Sequence, residues 1–359
     1  MKSINRQEWI IYGAYGYTGE LVLREALAQG RRPILAGRNP SKLEALASRY
    51  DLQHRTFDVS NAAENLDGVG TLINCAGPFE MTAEPMMDAC LKRGLHYFDI
   101  TGEISVFQAA HRREIEAIES GVILCPGVGF DIVPTDCLAA LLKQELPEAT
   151  HLELAFDFGT LPSMGTARTA IQGAGDGCLI LEDGKLRQVG LGYRIRKIPF
   201  SHSKLWSVSL PWGDVFTSQI STGIPNAIVY GALLLPICWG MKLSNPLRQL
   251  LALSRSQKTL IAVAERFLRD GPDEKTRANT STGFWGCVTT EDGRKCSGTI
   301  TGPSVYNMTA ETSVAIAMEA EHWDWDGGYY TASQLVGADF LSNREGFRVE
   351  IHRDSEQTG

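Results

Sequence analysis

The residues Gly13-Ala-Tyr-Gly16-Tyr-Thr-Gly19 have the spacing of a loop that holds a pyrophosphate. A glycine at 13 permits a tight turn, one at 16 lets the backbone approach the phosphates, and one at 19 lets a helix pack closely on a strand. The unpaired N–H groups and positive dipole at the helix start then face the negative charge, with Tyr15, Tyr17 and Thr18 as further contacts of the same loop. The strand that normally ends in an acid, which would bond a ribose 2′-hydroxyl, here ends at Arg38, followed by Asn39, Ser41 and Lys42. A carboxylate would repel a 2′-phosphate, whereas the Arg38 fork grips it and Lys42 adds charge, so NADP is favoured over NAD. Asp58 is placed to meet the adenine edge or to cap the segment 60–65. Ala76, Gly77 and Pro78 put small residues where the ribose and nicotinamide half would pass. Asp99, Thr101, Glu103, Asp131 and Thr135 follow two later strands, near the expected nicotinamide. Asp99, Glu103 and Asp131 are the candidate proton donors or orienting groups. Helix capping is the competing role, since Asp131 and Thr135 can start a helix over 134–144 and Glu103 can cap the next one.

These side chains need a scaffold that brings strand ends together. Short apolar runs at 9–12, 33–36, 55–57, 71–75, 96–100 and 122–124 alternate with stretches at 20–29, 40–49, 83–93 and 107–120 that carry an apolar stripe at helical spacing. That alternation predicts an α/β fold, a doubly wound parallel sheet of the Rossmann type. From about His151 the pattern changes: Leu152, Leu154, Phe156 and Phe158 alternate with polar residues, as in an antiparallel strand with one buried face. A hairpin over 282–290 and 295–301, turning at Glu291-Asp-Gly-Arg294, and a helix over 309–321 complete a second α+β domain on a mainly antiparallel sheet.

A chain of 359 residues exceeds the usual size of one domain, and its 43% hydrophobic and 21% charged residues indicate an ordinary globular protein. A net charge of −8 with no Lys/Arg block argues against nucleic acid as a partner. The eight cysteines show no Cys-x-x-Cys pair and the seven histidines are isolated, so a metal centre is not expected. No Gly-x-Ser-x-Gly elbow appears, which sets hydrolase chemistry aside. Tyr193 and Lys197 have a Tyr-x-x-x-Lys spacing, but 192–199 reads as strand or loop, so the match is taken as chance. The residues from Met1 to Trp9 lack the apolar run of a signal peptide, and the expected location is cytoplasmic.

One apolar run, 227–241, is interrupted by Pro236 and falls short of the ~20 residues that span a bilayer. With the following leucines and Arg248 and Arg255, the stretch 227–258 could be a buried core helix, a peripheral membrane or lipid contact, a mouth for a lipid-like substrate, or a homodimer contact.

The segments Gly13–Gly19, Ala36-Gly-Arg38, Asn74-Cys-Ala-Gly-Pro-Phe79, Tyr97-Phe-Asp-Ile-Thr-Gly-Glu103 and Pro126-Gly-Val-Gly-Phe-Asp-Ile-Val-Pro-Thr-Asp136 together resemble the saccharopine dehydrogenase-like oxidoreductases. Within them the chain is most similar to the branch that includes trans-acting enoyl reductases, with weaker echoes at Met164-Gly-Thr-Ala-Arg168 and Gly327-Gly-Tyr-Tyr-Thr-Ala332. The resemblance implies that the C-terminal segment, about 327–359, packs with the nucleotide domain at 1–148, leaving 149–326 as the substrate or oligomerisation domain. It also implies an NADP-dependent reductase or dehydrogenase acting on a hydrophobic carbonyl or enoyl substrate bound between the domains. The glycine loop departs from that of saccharopine reductases proper, which is Gly-x-Gly-rich. The alternatives are a saccharopine-type imine dehydrogenase, for which Arg168 would meet a substrate carboxylate, and a non-catalytic nucleotide-binding protein at a lipid surface.

Overall fold

The computed structural model describes residues 8–159, 171, 173, 175, 177–248, 253–267, 271–322 and 326–353. In chain order the first elements are β1 (Trp9–Tyr12), α1 (Tyr17–Ala28), β2 (Ile34–Gly37), α2 (Pro40–Tyr50), β3 (His54–Thr56), α3 (Ala62–Asn65), β4 (Thr71–Asn74), α4 (Phe79–Arg93), β5 (His96–Asp99), α5 (Ile104–Arg112), α6 (Glu114–Ser120) and β6 (Ile123–Cys125). There follow α7 (Val133–Glu145), β7 (His151–Asp157), β8 (Cys178–Glu182), β9 (Lys185–Val189), β10 (Ile195–Pro199), β11 (Lys204–Ser209), α8 (Asp214–Thr222), β12 (Asn226–Ala232), α9 (Leu235–Leu243), α10 (Ser254–Phe267) and α11 (Glu274–Asn279). The last are β13 (Ser281–Thr289), β14 (Lys295–Pro303), α12 (Val305–His322), β15 (Gly328–Tyr329), α13 (Ala332–Val336) and β16 (Arg348–Arg353).

The chain divides into two compact units, the first made of 1–133 and 306–336. Its sheet has the order β15-β6-β5-β4-β1-β2-β3, and every neighbouring pair is parallel. Each residue of β1, β2, β4 and β5 is buried, as expected for strands covered on both faces. The strand order reverses between β1 and β4, which opens a crevice at the carboxyl ends of the strands, where ligands bind in such sheets.

Helix starts differ from the sequence expectation in a way that matters for the site. The first helix begins at Tyr17 and α4 at Phe79, both directly after a strand-end loop, so two helix N-termini border the crevice. The single helix expected over 107–120 is two, α5 and α6, separated at Arg113. The Arg113 guanidinium bonds the Ala109 carbonyl and the carboxylates of Glu84 and Asp88, which ties the break to α4.

The second unit comprises 134–305 and 337–359. Its sheet runs β10-β11-β12-β7-β13-β14-β16, with β8 pairing β12 and β9. All pairs are antiparallel except β7 with β12, so β7 is a central strand rather than a member of a simple antiparallel meander.

These units cut the chain elsewhere than the sequence suggests. Helix α12 stands in the first unit because hydroxyls on its buried face hold the loop after β6: Thr309 Oγ1 accepts from the Phe130 amide at 3.1 Å, and Thr312 donates to the Val128 carbonyl at 2.8 Å. Of the segment 327–359, β15 extends the parallel sheet, while β16 adds to β14 of the second sheet. The run 227–241 also divides, into buried strand β12 and the exposed helix α9. Arg168 and its neighbours lie outside the described residues.

Candidate functional site

The glycine turn sits where β1 meets α1. Gly13 has φ +80°, a conformation that L side chains rarely adopt, and its amide donates to the Ala36 carbonyl at 2.8 Å. A Cβ there would stand 2.9 Å from both Cβ and N of Ala76. Gly16 donates to the Gly13 carbonyl at 2.9 Å, and a Cβ on Gly19 would lie 2.3 Å from that same oxygen. The loop is therefore closed around the Gly13 carbonyl, and its shape depends on missing side chains. Gly19→Ala is expected to destabilise the fold by about 1–3 kcal/mol and to abolish dinucleotide binding, read by urea titration and by fluorescence with added NADPH.

Gly16 is the N-cap of α1, and no side chain caps that end. Thr18 lies in the first turn, and the Tyr17 ring meets the edge of Tyr306 at 4.9 Å. Glu20 would oppose an anion here, but its carboxylate is taken by Arg24 at 2.6 Å and Arg49 at 3.1 Å, which hold its pKa down against burial.

At the end of β2 the Tyr15 ring lies against Gly37, and Lys42 Nζ stands 5.7 Å from the ring centroid. Arg38 follows, exposed, and among the described residues its guanidinium has no hydrogen-bond partner. Asp58 accepts from the Ser60 amide and hydroxyl at 3.2 and 3.0 Å, and these bonds, with a smaller effect of Arg38, lower its pKa. The capping role foreseen for Asp58 is thus present, and Arg38 keeps its charge for another anion. Tyr12, absent from the sequence-derived site, donates to the Phe57 carbonyl at 3.2 Å beneath this corner.

Ala76, Gly77 and Pro78 run from β4 to the N-cap of α4. Below them lies a buried polar string that sequence inspection did not find. Asn74 accepts from the Ala76 amide at 3.0 Å and donates to Thr82 Oγ1 at 3.2 Å, and Thr82 in turn donates to the Ala76 carbonyl at 2.7 Å. On the next strand Tyr97 donates to Asp99 at 2.7 Å. An asparagine closing an otherwise apolar strand was the available signal.

The carboxylates fall into different roles. Asp99 is 0% exposed and accepts from the Thr101 and Gly127 amides at 3.0 and 2.9 Å, which clamps the end of β5 to the loop after β6. Burial raises it to about 6 despite those bonds. With no surface it cannot touch a ligand, so it acts by positioning. Glu103 accepts from the Phe79 and Glu80 amides at 3.2 and 2.7 Å, so it caps α4 rather than the helix that follows it. Burial raises its pKa, partly offset by those two amides. Asp131 is half-buried and packs on Gly102, where a Cβ would stand 3.2 Å from its own; burial first, and the Glu103 charge second, raise it to about 7. Thr135 is buried in the first turn of α7. The Cys75 thiol, raised to about 12 by burial and by Asp99, stays protonated. Among the described residues no group of His, Cys, Asp or Glu is placed to hold a metal ion.

Comparison with known proteins gives a consistent picture. Residues 9–124 match the family model of the saccharopine dehydrogenase NADP binding domain. A saccharopine dehydrogenase-like oxidoreductase of Rattus norvegicus is 30% identical over 232 residues, 56% of this chain and 53% of that protein. A trans-acting enoyl reductase of Mycobacterium ulcerans (strain Agy99) is 32% identical over 174 residues, 43% of this chain and 40% of that protein. The chain thus spans about half the length of the curated relatives it matches. In fold it is similar to apo saccharopine dehydrogenase (L-Glu forming) of Saccharomyces cerevisiae, with a TM-score of 0.65 at 11% identity over 97% of this chain and 100% of that one.

Proposed function

We propose that this chain, whose residues 9–124 match the saccharopine dehydrogenase NADP binding domain, is an NADP-dependent oxidoreductase of the saccharopine dehydrogenase-like kind that transfers a hydride to or from a hydrophobic carbonyl or enoyl substrate. The observation that carries the reading is the cradle at the end of β1, with an arginine whose guanidinium has no hydrogen-bond partner among the described residues standing where the next strand could have ended in an acid. The fit to a dinucleotide is physical. Side chains are missing where a pyrophosphate would touch backbone, and α1 presents an N-terminus that no side chain caps.

When bound, NADPH supplies the hydride, and the protein supplies position and charge. Arg38 holds the 2′-phosphate with Lys42 beside it, and the Tyr15 ring, packed on Gly37, fixes the wall of that corner. Asp131 keeps its proton up to about pH 7 and delivers it from a carboxyl oxygen to the substrate. Asp99 and Glu103 hold the loop after β6 and the start of α4 in place around it. The hydrophobic substrate class is supported by the likeness to a protein named as an enoyl reductase.

The test is NADPH consumption by the purified full chain against hydrophobic ketones, aldehydes and enoyl thioesters, with 2-oxo acid and amino acid pairs as the imine-forming comparison. Turnover confined to the hydrophobic class is expected. Turnover of the imine-forming pairs alone would replace the substrate assignment, binding without turnover would leave a nucleotide-binding protein, and absence of NADPH binding would remove the oxidoreductase reading altogether.

A further inference from the structure

Between Asp214 and Glu265 the sequence holds no acidic residue and four cations, Lys242, Arg248, Arg255 and Lys258, in a chain whose net charge is −8. The same stretch exposes Leu234, Ile237, Trp239, Leu243, Leu253, Leu260 and Val263 at 38–73%, seven of the eleven large apolar residues recorded as exposed in the described structure. Scattered apolar residues on a surface are normal, but this concentration in one segment is not.

Helix α9 shows how the surface is built. Cys238 is buried and anchors the inner side, whereas Trp239 and Leu243, one turn apart, share the outer side with exposed Pro236 and Gly240. Lys242 Nζ stands 5.7 Å from the Trp239 ring. A second such pair lies next to it: exposed Trp206, whose carbonyl accepts from the Leu233 amide at 3.0 Å, carries Lys197 Nζ at 5.1 Å. The helix is firmly mounted, because Asn245, just beyond its end, accepts from the Leu191 amide and donates to the Leu191 carbonyl, both at 2.8 Å. A rigid apolar face with aromatic rings at its margin and cations over those rings matches the boundary between acyl chains and phosphates.

We propose that this face of the second unit docks on an anionic phospholipid surface. Helix α9 lies in the plane of the interface, with Leu234, Trp239 and Leu243 entering the acyl boundary and Lys242 and Lys197 meeting phosphates. No helix among the described residues is long and apolar enough to cross a membrane, so the contact is peripheral. The charge pattern argues for lipid over a second copy of the chain. A two-fold contact through this stretch would set cations against cations with no acid in the segment to answer them. The proposal stands apart from the oxidoreductase reading, since it uses none of the residues of the nucleotide cradle.

The experiment is flotation of the full chain with vesicles of phosphatidylcholine alone or mixed with phosphatidylserine, and sedimentation velocity without lipid. The wild type is expected to float with the mixed vesicles at least roughly tenfold more than with phosphatidylcholine. The triple variant Leu234→Ser, Trp239→Ser, Leu243→Ser should lose flotation, and Lys197→Glu with Lys242→Glu should lose the dependence on phosphatidylserine. Circular dichroism melts establish that the variants fold, and the wild-type result stands without them. A wild type that stays at the bottom with both vesicles overturns the proposal, as do folded variants that float like the wild type. Concentration-dependent self-association that only the triple variant lacks, without flotation, assigns the face to a second copy and overturns it equally.

Discussion

Replacing Arg38 with alanine is expected to weaken NADPH binding by about 10- to 100-fold while changing NADH binding by no more than about threefold, in titrations followed by tryptophan fluorescence. The selectivity follows from what Arg38 lacks. It is exposed, and among the described residues no carboxylate or carbonyl occupies its guanidinium. Asp58 is near enough to feel its charge, but that carboxylate is bonded to Ser60. A bidentate grip on a 2′-phosphate is a charge-assisted interaction that the mutation removes, and NADH has no group there to lose. Equal weakening of both dinucleotides would show that Arg38 supports the loop and does not read the phosphate.

Asp131→Asn carries the other large effect. With the proton donor gone, kcat for reduction is expected to fall by about 10²- to 10⁴-fold, measured at saturating NADPH. In the wild type the reduction rate should decline as pH rises through about 7, where Asp131 loses its proton. The same shift has a consequence for stability. Its folded pKa lies above the unfolded value near 3.8, so the acid favours the fold below that value and this contribution is lost as pH rises through about 7. At pH 8 the Asn variant should therefore be more stable than the wild type by about 2 kcal/mol, allowing for the part of the carboxyl that meets water, and near parity at pH 4. Lower activity joined to higher stability at alkaline pH separates a strained functional acid from a structural one; a variant that is less stable at every pH would mark Asp131 as a capping or packing residue.

How much of this was legible in the sequence depended on whether the governing contacts are local. The glycine turn could be read because Gly13, Gly16 and Gly19 act within one strand-turn-helix unit, and Arg38 because it closes the next strand. The chain order of the parallel sheet followed from periodicity, which sees the buried faces of β1, β2, β4 and β5. Contacts between strands were invisible. Asn74 meets the Tyr97 hydroxyl only because β4 and β5 pair with Asn74 opposite Asp99, a register that no single segment encodes. Glu103 looked like a cap for the helix that follows it; its true partners are amides 24 and 23 residues earlier, brought near by the fold. The run 227–241 misled for another reason: a buried strand and an exposed apolar helix have the same composition, and only the sheet distinguishes them.

The division of the chain also sets an order of events during synthesis. A ribosome releases 1–133 first, but that segment lacks the outermost parallel strand and the helix whose hydroxyls bond the Val128 carbonyl and the Phe130 amide. Those parts emerge only after the whole of 134–305, and β16, which closes the second sheet, comes later still. A stop codon before β15 therefore leaves both sheets unfinished, and one between β15 and β16 leaves the second sheet without its last strand, so the chain through β16 has no dispensable tail.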